Sequence, residues 1–300
     1  MEQAVPGSAN GSAATQGTSE EALRRMAAAD PELAAKLIVH AMPAAAAPLP
    51  SDLSWRLSVD GVGEWQIRGA ENGGAASVLP ANGADGEDFA IETDAAGLAA
   101  LAGGSSPLGL MLRRKLRLRG ARRKALALRK MDSDAGPRQL AKLGLEVDPD
   151  LLFRSLSYAI DPEWTRGQNF SVAYELAGEQ GRAWLVDVND GEIRVTAGAG
   201  GSNGSAPDAT IRMSAATWQR LLSGELSPTI AMQMGLTRVE GAIYPVTLLG
   251  RWLDRAEGVD GPELEREVRQ EQVQTSRAPW GSKSPTAPPP RAAGLPSATT

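Results

Sequence analysis

Few side chains in this sequence are equipped for covalent or acid–base chemistry. The chain has no cysteine and a single histidine, His40. That excludes disulfides, thiolate metal sites and cysteine nucleophiles, and leaves almost nothing for zinc binding or imidazole catalysis. His40 stands near the end of a helical stretch, just before Met42-Pro43, where a surface or helix-terminal role is expected. Asp187, Asp190 and Glu192 could be imagined as paired hydrolytic carboxylates. Asp190-Gly191, however, has the composition of a hairpin turn, and strand alternation turns the other two toward solvent. Gly198-Ala-Gly200-Gly201 lacks the Gly-Lys-Ser/Thr of a phosphate cradle and falls between two strands, so a hairpin loop is expected there. The chain is therefore expected to be no enzyme and to need neither cofactor nor metal.

Charge is the other chemical resource. The net charge of -5 over 300 residues points to neither nucleic acid nor membrane by itself, but the sum hides an asymmetry. From residue 113 to residue 130 ten side chains are basic and none is acidic. Arg113, Arg114, Lys115, Arg117, Arg119, Arg122 and Arg123 form the candidate anion patch, continued by Lys124, Arg129 and Lys130. Such a patch suits phospholipid headgroups or the phosphates of coenzyme A. It also suits nucleic acid, though no aromatic residue is interleaved for base stacking, which ranks that reading last. The plainest alternative is a solvated face partly neutralised by the acidic second half of the chain.

The elements that position these residues come in two copies, offset by about 120 residues. Asp30-Pro31-Glu32-Leu33 recurs as Asp148-Pro149-Asp150-Leu151, and Asp88 to Ile91 as Asp208 to Ile211. Gly103 to Pro107 recurs as Gly224 to Pro228, and Leu116 to Gly120 as Thr237 to Gly241. A period this long is one whole domain. Each Asp-Pro should cap a helix with proline in its first turn. The period then changes to two: Leu53, Trp55, Leu57 and Val59 in one copy, Phe170, Val172, Tyr174 and Leu176 in the other, read as half-buried strands. The second copy continues with strands near Trp184-Leu185-Val186, Ile193 to Val195 and Ile211 to Met213. A helix with Trp218, Leu221 and Leu222 follows, then a short helix with Ile230 and Met234, a strand at Val239, and a final helix from about Ala242 to Arg255. The order predicts an α+β fold with helices gathered on one side of a sheet. The expected organisation is 1–17 disordered, 18–131 first domain, 132–137 linker, 138–267 second domain and 268–300 a disordered Pro/Ser-rich tail.

From about Pro149 to Arg255 the run Phe170-Ser-Val-Ala-Tyr174, Trp184, Asp190-Gly191, Pro207-Asp208-Ala-Thr-Ile211, Leu222-Ser-Gly224-Glu225-Leu-Ser-Pro228, Ala231, Gly235 and Val239-Glu240-Gly241 resembles the sterol carrier protein 2 (SCP2) family in order and spacing. The first copy resembles it more faintly, with Leu98 where the second has Trp218. The resemblance implies two SCP2-like domains, each a five-stranded mixed, mainly antiparallel sheet covered by helices. It also implies binding and transfer, without catalysis, of a sterol, fatty acid, fatty acyl-CoA or phospholipid in an apolar tunnel. The expected function is therefore non-enzymatic carriage of a fatty acid, fatty acyl-CoA, sterol or polyprenoid-type lipid in the tunnel of the second domain. Trp218, Leu221, Leu222, Ile230, Met232, Met234, Val246, Leu249 and Trp252 are the candidate lining, and methionine's flexibility suits irregular chains. For any one of these residues, simple core packing is the competing role. The expected partners are the lipid or acyl-CoA ligand and a transient anionic membrane surface. Residues 1–17 lack the apolar core of a secretory signal and no stretch approaches the roughly twenty apolar residues of a membrane span, so a cytoplasmic location is expected. The alternative function is a scaffold with closed cores that docks a partner or an anionic surface through the basic face 113–130.

Overall fold

Asp30 and Asp148 each end a loop with a side chain that accepts a backbone N–H of the following helix, from Leu33 at 3.0 Å and from Asp150 at 2.9 Å. In the computed structural model, which describes residues 21–70, 74–81, 86–103, 105–132, 135–178, 182–198 and 206–256, these caps open the helices that lead into two sheets. The expected disordered tails, 1–17 and 268–300, lie outside the described residues. After a first helix, α1 (21–29), come α2 (Pro31–Ala45), β1 (Ser54–Asp60), β2 (Gly63–Arg68), β3 (Ser77–Pro80) and β4 (Phe89–Asp94). Helices α3 (Ala95–Ala102) and α4 (Pro107–Leu112), strand β5 (Leu116–Gly120) and the short helix α5 (Arg122–Ala125), drawn out into a 3-10 turn (Leu126–Lys130), complete the first copy. Helix α6 (Pro137–Lys142) leads to the second: α7 (Pro149–Ala159), β6 (Asn169–Ala177), β7 (Arg182–Asn189), β8 (Glu192–Ala197), β9 (Ala209–Ser214), α8 (Ala215–Ser223), α9 (Pro228–Gln233), β10 (Thr237–Gly241) and α10 (Ile243–Ala256).

Both sheets have five strands and the same order. The first runs β3-β2-β1-β4-β5 and the second, read from the other edge, β8-β7-β6-β9-β10. In each, one parallel pair at the centre (β1 with β4, β6 with β9) joins otherwise antiparallel neighbours. The period-two pattern marks which face is covered: Trp55, Leu57 and Val59 are buried, while the residues between them are only partly so. The fold class is α+β, as the alternation of periods predicts.

The aspartates repeated at 88 and 208 explain how the parallel pairs are held. Asp88 Oδ2 accepts from the Ser54 N–H at 3.1 Å, and Asp208 Oδ2 from the Ser171 N–H at 2.8 Å. The Asp88 and Asp208 N–H groups donate back to the Ser54 and Ser171 carbonyls, and their own carbonyls accept from Ala121 and Ala242 at 2.8 Å each. This last contact requires the strand before it to end on a left-handed glycine. Gly120 has φ 88° and Gly241 has φ 92°; a Cβ on Gly120 would stand 2.7 Å from the Asp88 carbonyl oxygen, and one on Gly241 would approach the Asp208 carbonyl more closely still.

The two copies pack through helices. Met26 on α1 and Leu33 and Ala34 on α2 meet Leu151 and Tyr158 of α7. Leu140 and Ala141 of α6, the segment expected to follow a plain linker, pack between Ala44 of the first copy and Leu222 of the second. Polar contacts border the seam: Arg154 pairs with Asp30 at 3.0 Å, and Arg25 donates to the Tyr158 carbonyl at 2.9 Å. His40 departs from its expected surface role. Its Nε2 accepts from the N–H of Asp148 at 3.0 Å, the residue that caps α7. Helix α2 is continued past His40, so the imidazole is carried onto the other copy instead of into solvent. Burial lowers its pKa from the ordinary value, while the Asp148 and Glu146 carboxylates act the other way.

Two measurements check these contacts. Gly241→Ala is expected to cost more than about 2 kcal/mol in urea unfolding, combining left-handed strain with a clash against backbone. Gly235→Ala, at φ 69° with open space around it, should cost only about 1–2 kcal/mol. Because the folded state holds His40 below the value of about 6.5 that the unfolded chain has, the unfolded chain binds the proton more readily. His40's contribution is then full above about pH 6.5 and declines as pH falls through the folded-state value. Thermal melts should show wild type losing more stability than His40→Gln on acidification through that window, since Gln keeps an acceptor for Asp148 and cannot be protonated.

Candidate functional site

Helix α8 begins where Ser214 Oγ accepts from the Thr217 N–H at 3.0 Å and ends at Gly224, left-handed at φ 79°. Between these stops Thr217 is buried and Trp218 half-buried. The indole of Trp218 stacks on Phe153, with ring centroids 5.2 Å apart. Phe153 stacks in turn on Trp184 at 4.6 Å and meets Tyr174 at 4.8 Å. Trp184 is fixed by its Nε1–H, which donates to Asp150 Oδ1 at 3.1 Å on the first turn of α7. Tyr174 is buried, and desolvation pushes its phenol well up. Trp218 Nε1, by contrast, is buried and has no hydrogen-bond partner among the described residues. Buried polar atoms of this kind are rare and call for a ligand, a water or a reservoir of strain.

The nine candidate lining residues do not form one group. Trp218, Leu221 and Val246 pack at the border of the second core, and Leu249 and Trp252 lie inside it, with Trp252 stacked on Phe170 at 5.8 Å. Leu222 turns the other way, toward Leu140 and Ala141 at the seam between copies. Ile230, Met232 and Met234 are exposed, in and just after helix α9, of which only Ala231 is buried. Phe153 is the residue that sequence reasoning missed. It lies on the buried stripe of α7 with Leu156 and Ile160, at i, i+3 and i+7, a spacing that would have found it. Its ring occupies the space directly behind Trp218.

Two hollows in the surface lie elsewhere. One of about 320 Å³ borders Leu176, Ala177 and Ala183 near the end of the β6–β7 pair, with Glu175, Arg182 and Arg212 around it. The other, about 350 Å³, lies between the copies against Val39, His40, Trp65 and Leu151, rimmed by Lys36, Asp148, Asp150 and Arg154. The three carboxylates considered for acid–base chemistry are engaged elsewhere. Asp190 Oδ1 accepts from the Gly167 N–H at 2.7 Å and Glu192 pairs with Arg194 at 2.9 Å. The turn Asp190-Gly191 is left-handed at both residues, as a two-residue hairpin requires. Most of the Gly198 to Gly201 stretch lies outside the described residues.

The candidate anion patch is arranged along the free edge of the first sheet. Leu116 and Leu118 of β5 face the core, and Arg113, Arg114, Lys115, Arg117, Arg119, Arg122 and Arg123 are all exposed. Arg119 pairs with Glu92 at 3.1 Å, and Lys124 with Asp88 at 2.6 Å. The Lys124 ammonium and then the Ser54 N–H hold the Asp88 carboxyl below its ordinary value. Among the described residues the other eight cations of the run have no ion-pair partner. No helix among the described residues is long and apolar enough to cross a membrane.

Among curated proteins none matches the chain. Solved structures similar to it include sterol carrier protein 2 from Yarrowia lipolytica in its apo form, 20% identical with a TM-score of 0.29, covering 42% of this chain and 92% of that one. Palmitated SCP2L2 from Aedes aegypti is 16% identical with a TM-score of 0.29, covering 38% of this chain and 92% of that one. The inverting sec-alkylsulfatase Pisa1 from Pseudomonas sp. is 16% identical with a TM-score of 0.28, covering 35% of this chain. This chain spans only 16% and 20% of the length of the two sulfatase structures it resembles. At these scores none of the three carries an argument about function. The assignment comes from the family model of the SCP-2 sterol transfer family, which matches residues 154–253, from α7 to α10. By that match the second copy belongs to the SCP-2 sterol transfer family.

Proposed function

We propose that the chain binds and transfers a hydrophobic ligand, a fatty acyl or comparable lipid, through its second copy, without catalysis. The first copy, which repeats the same strand order, is read as a diverged relative of the second with a structural or docking role. The observation that carries the reading, beside the family match, is Trp218: its ring closes over an aromatic stack while its indole N–H, though buried, lacks a partner among the described residues. A ligand's carbonyl or carboxylate accepting from that N–H would remove the cost of leaving it unpaired, about 1–3 kcal/mol.

Helix α9 supplies the apolar counterpart. Exposed Ile230, Met232 and Met234 leave only Ala231 anchoring it, so it can be displaced at little loss of core packing. An acyl chain entering beside it would part Trp218 from Phe153 and take up the apolar side chains of α9, gaining about 0.8 kcal/mol per buried methylene before entropy costs. Binding is thus coupled to opening of the Phe153–Trp218 stack. The site selects for a long apolar body with one acceptor.

The stack itself favours a second reading, in which the core stays closed and the two copies serve as a scaffold. Displacement of a fluorescent fatty acid, together with native mass spectrometry of the purified chain, separates the two. Lipid carriage predicts co-purified lipid, saturable displacement, and affinity lowered about tenfold or more by Met232→Asp with Met234→Asp, the scale of two lost apolar contacts. Absence of both bound lipid and displacement would leave the scaffold reading standing.

A further inference from the structure

The two copies share a backbone but exchange their surfaces along one stretch. Gly120 and Gly241 both end the last strand of their sheet, which sets an offset of 121 residues over this region. At that offset Arg113, Arg122 and Arg123 stand where the second copy has the exposed Met234, Ile243 and Tyr244. The reverse exchange also occurs. Leu108, Leu112 and Leu126 replace Thr229, Gln233 and Thr247, and they are 67%, 78% and 58% exposed. Apolar side chains have thus been placed in water at three positions that the other copy keeps polar, among cations that have no ion-pair partner within the described residues.

We propose that the stretch 108–130 of the first copy, at the free edge of its sheet, is a docking surface for an anionic lipid bilayer. Cations near such a surface are attracted by its negative potential, and exposed leucines beside them enter the boundary between headgroups and acyl chains. Each half of the pattern alone has another explanation; a bilayer interface uses both. A solvated face has no use for three exposed leucines. A nucleic acid would use the cations but not the leucines, and no aromatic residue between 108 and 130 offers a base a stacking partner. The surface involves only the first copy and holds whether or not the second copy carries lipid.

Flotation of the full chain with vesicles tests it, and no ligand of the second copy enters the readout. Wild type is expected to bind phosphatidylcholine–phosphatidylserine vesicles at least ~10-fold better than phosphatidylcholine alone, with the advantage lost at high salt. The combined variant R113E/R114E/R122E/R123E should lose more than ~100-fold of that binding. Arg→Gln replacements at the same four positions provide a gentler check if charge reversal disturbs folding, and should lose at least ~10-fold. The variant L108S/L112S should lose ~10-fold or more on vesicles, since both leucines are exposed and the fold does not depend on them. Equal binding to the two vesicle types, no binding to either, or a leucine variant that binds as wild type does would overturn the proposal. A short RNA held more tightly than phosphatidylserine vesicles, and unaffected by L108S/L112S, would make the patch a nucleic-acid surface instead.

Discussion

The parallel strand pair at the centre of each sheet is the constraint on which the rest of the structure depends. Parallel neighbours cannot be joined by a tight turn, so their register must be set by something other than the connection. Here one aspartate sets it in each copy. Asp88 and Asp208 bind the start of the first strand of their sheet through both backbone and carboxylate, and their carbonyls receive the chain as it leaves the last strand. Three segments distant in sequence are thereby tied at one corner. A slip of one residue would move Trp55, Leu57 and Val59, or Val172, Tyr174 and Leu176, from the covered face to solvent.

With that corner conserved between the copies, their surfaces could diverge. The outer face of the sheet shows this most simply. In the second copy Arg212 bridges Glu175 and Glu240; at the equivalent diagonal of the first copy the signs are reversed, with Glu92 paired to Arg119. Exposed ion pairs of this sort contribute little to stability, about 0–1 kcal/mol, so their polarity is free to change. The covered faces diverged differently. The first copy packs Trp55 on Phe89, whereas the second builds a four-ring cluster of Phe153, Tyr174, Trp184 and Trp218 that reaches the surface. This asymmetry separates a copy whose rings form one connected cluster from one whose distinguishing feature is its charged edge.

The seam between the copies gives His40 its meaning. A lone histidine before a proline-containing helix end looks solvent-facing in sequence, yet α2 runs on through Pro43 to Ala45 and delivers the imidazole to the cap of α7. The helix that sequence reasoning took as the start of the second domain, α6, is shared by both copies through Leu140 and Ala141. The two cores therefore meet through helices, and a polar bond at their border is carried by an imidazole whose pKa burial lowers from its ordinary value.

The repeat, the Asp-Pro caps, the switch from helical to strand period, the Asp190-Gly191 hairpin and the α+β class were legible in the sequence, because each depends on a local rule of backbone geometry or side-chain alternation. So was the run of cations free of acidic residues, which needs no partner to be seen. The composition of the ring cluster was only half legible. Trp218 announced itself, but Phe153 did not, and Leu222 was grouped with its helix neighbours although it faces the seam. The exposure of Ile230, Met232 and Met234 was likewise hidden, since a greasy residue in a short helix reads as core. Periodicity tells which residues share a face, whereas the identity of what covers that face is decided by long-range packing; only the tertiary structure could bring α7 beneath Trp218, leave α9 uncovered, and carry His40 to Asp148.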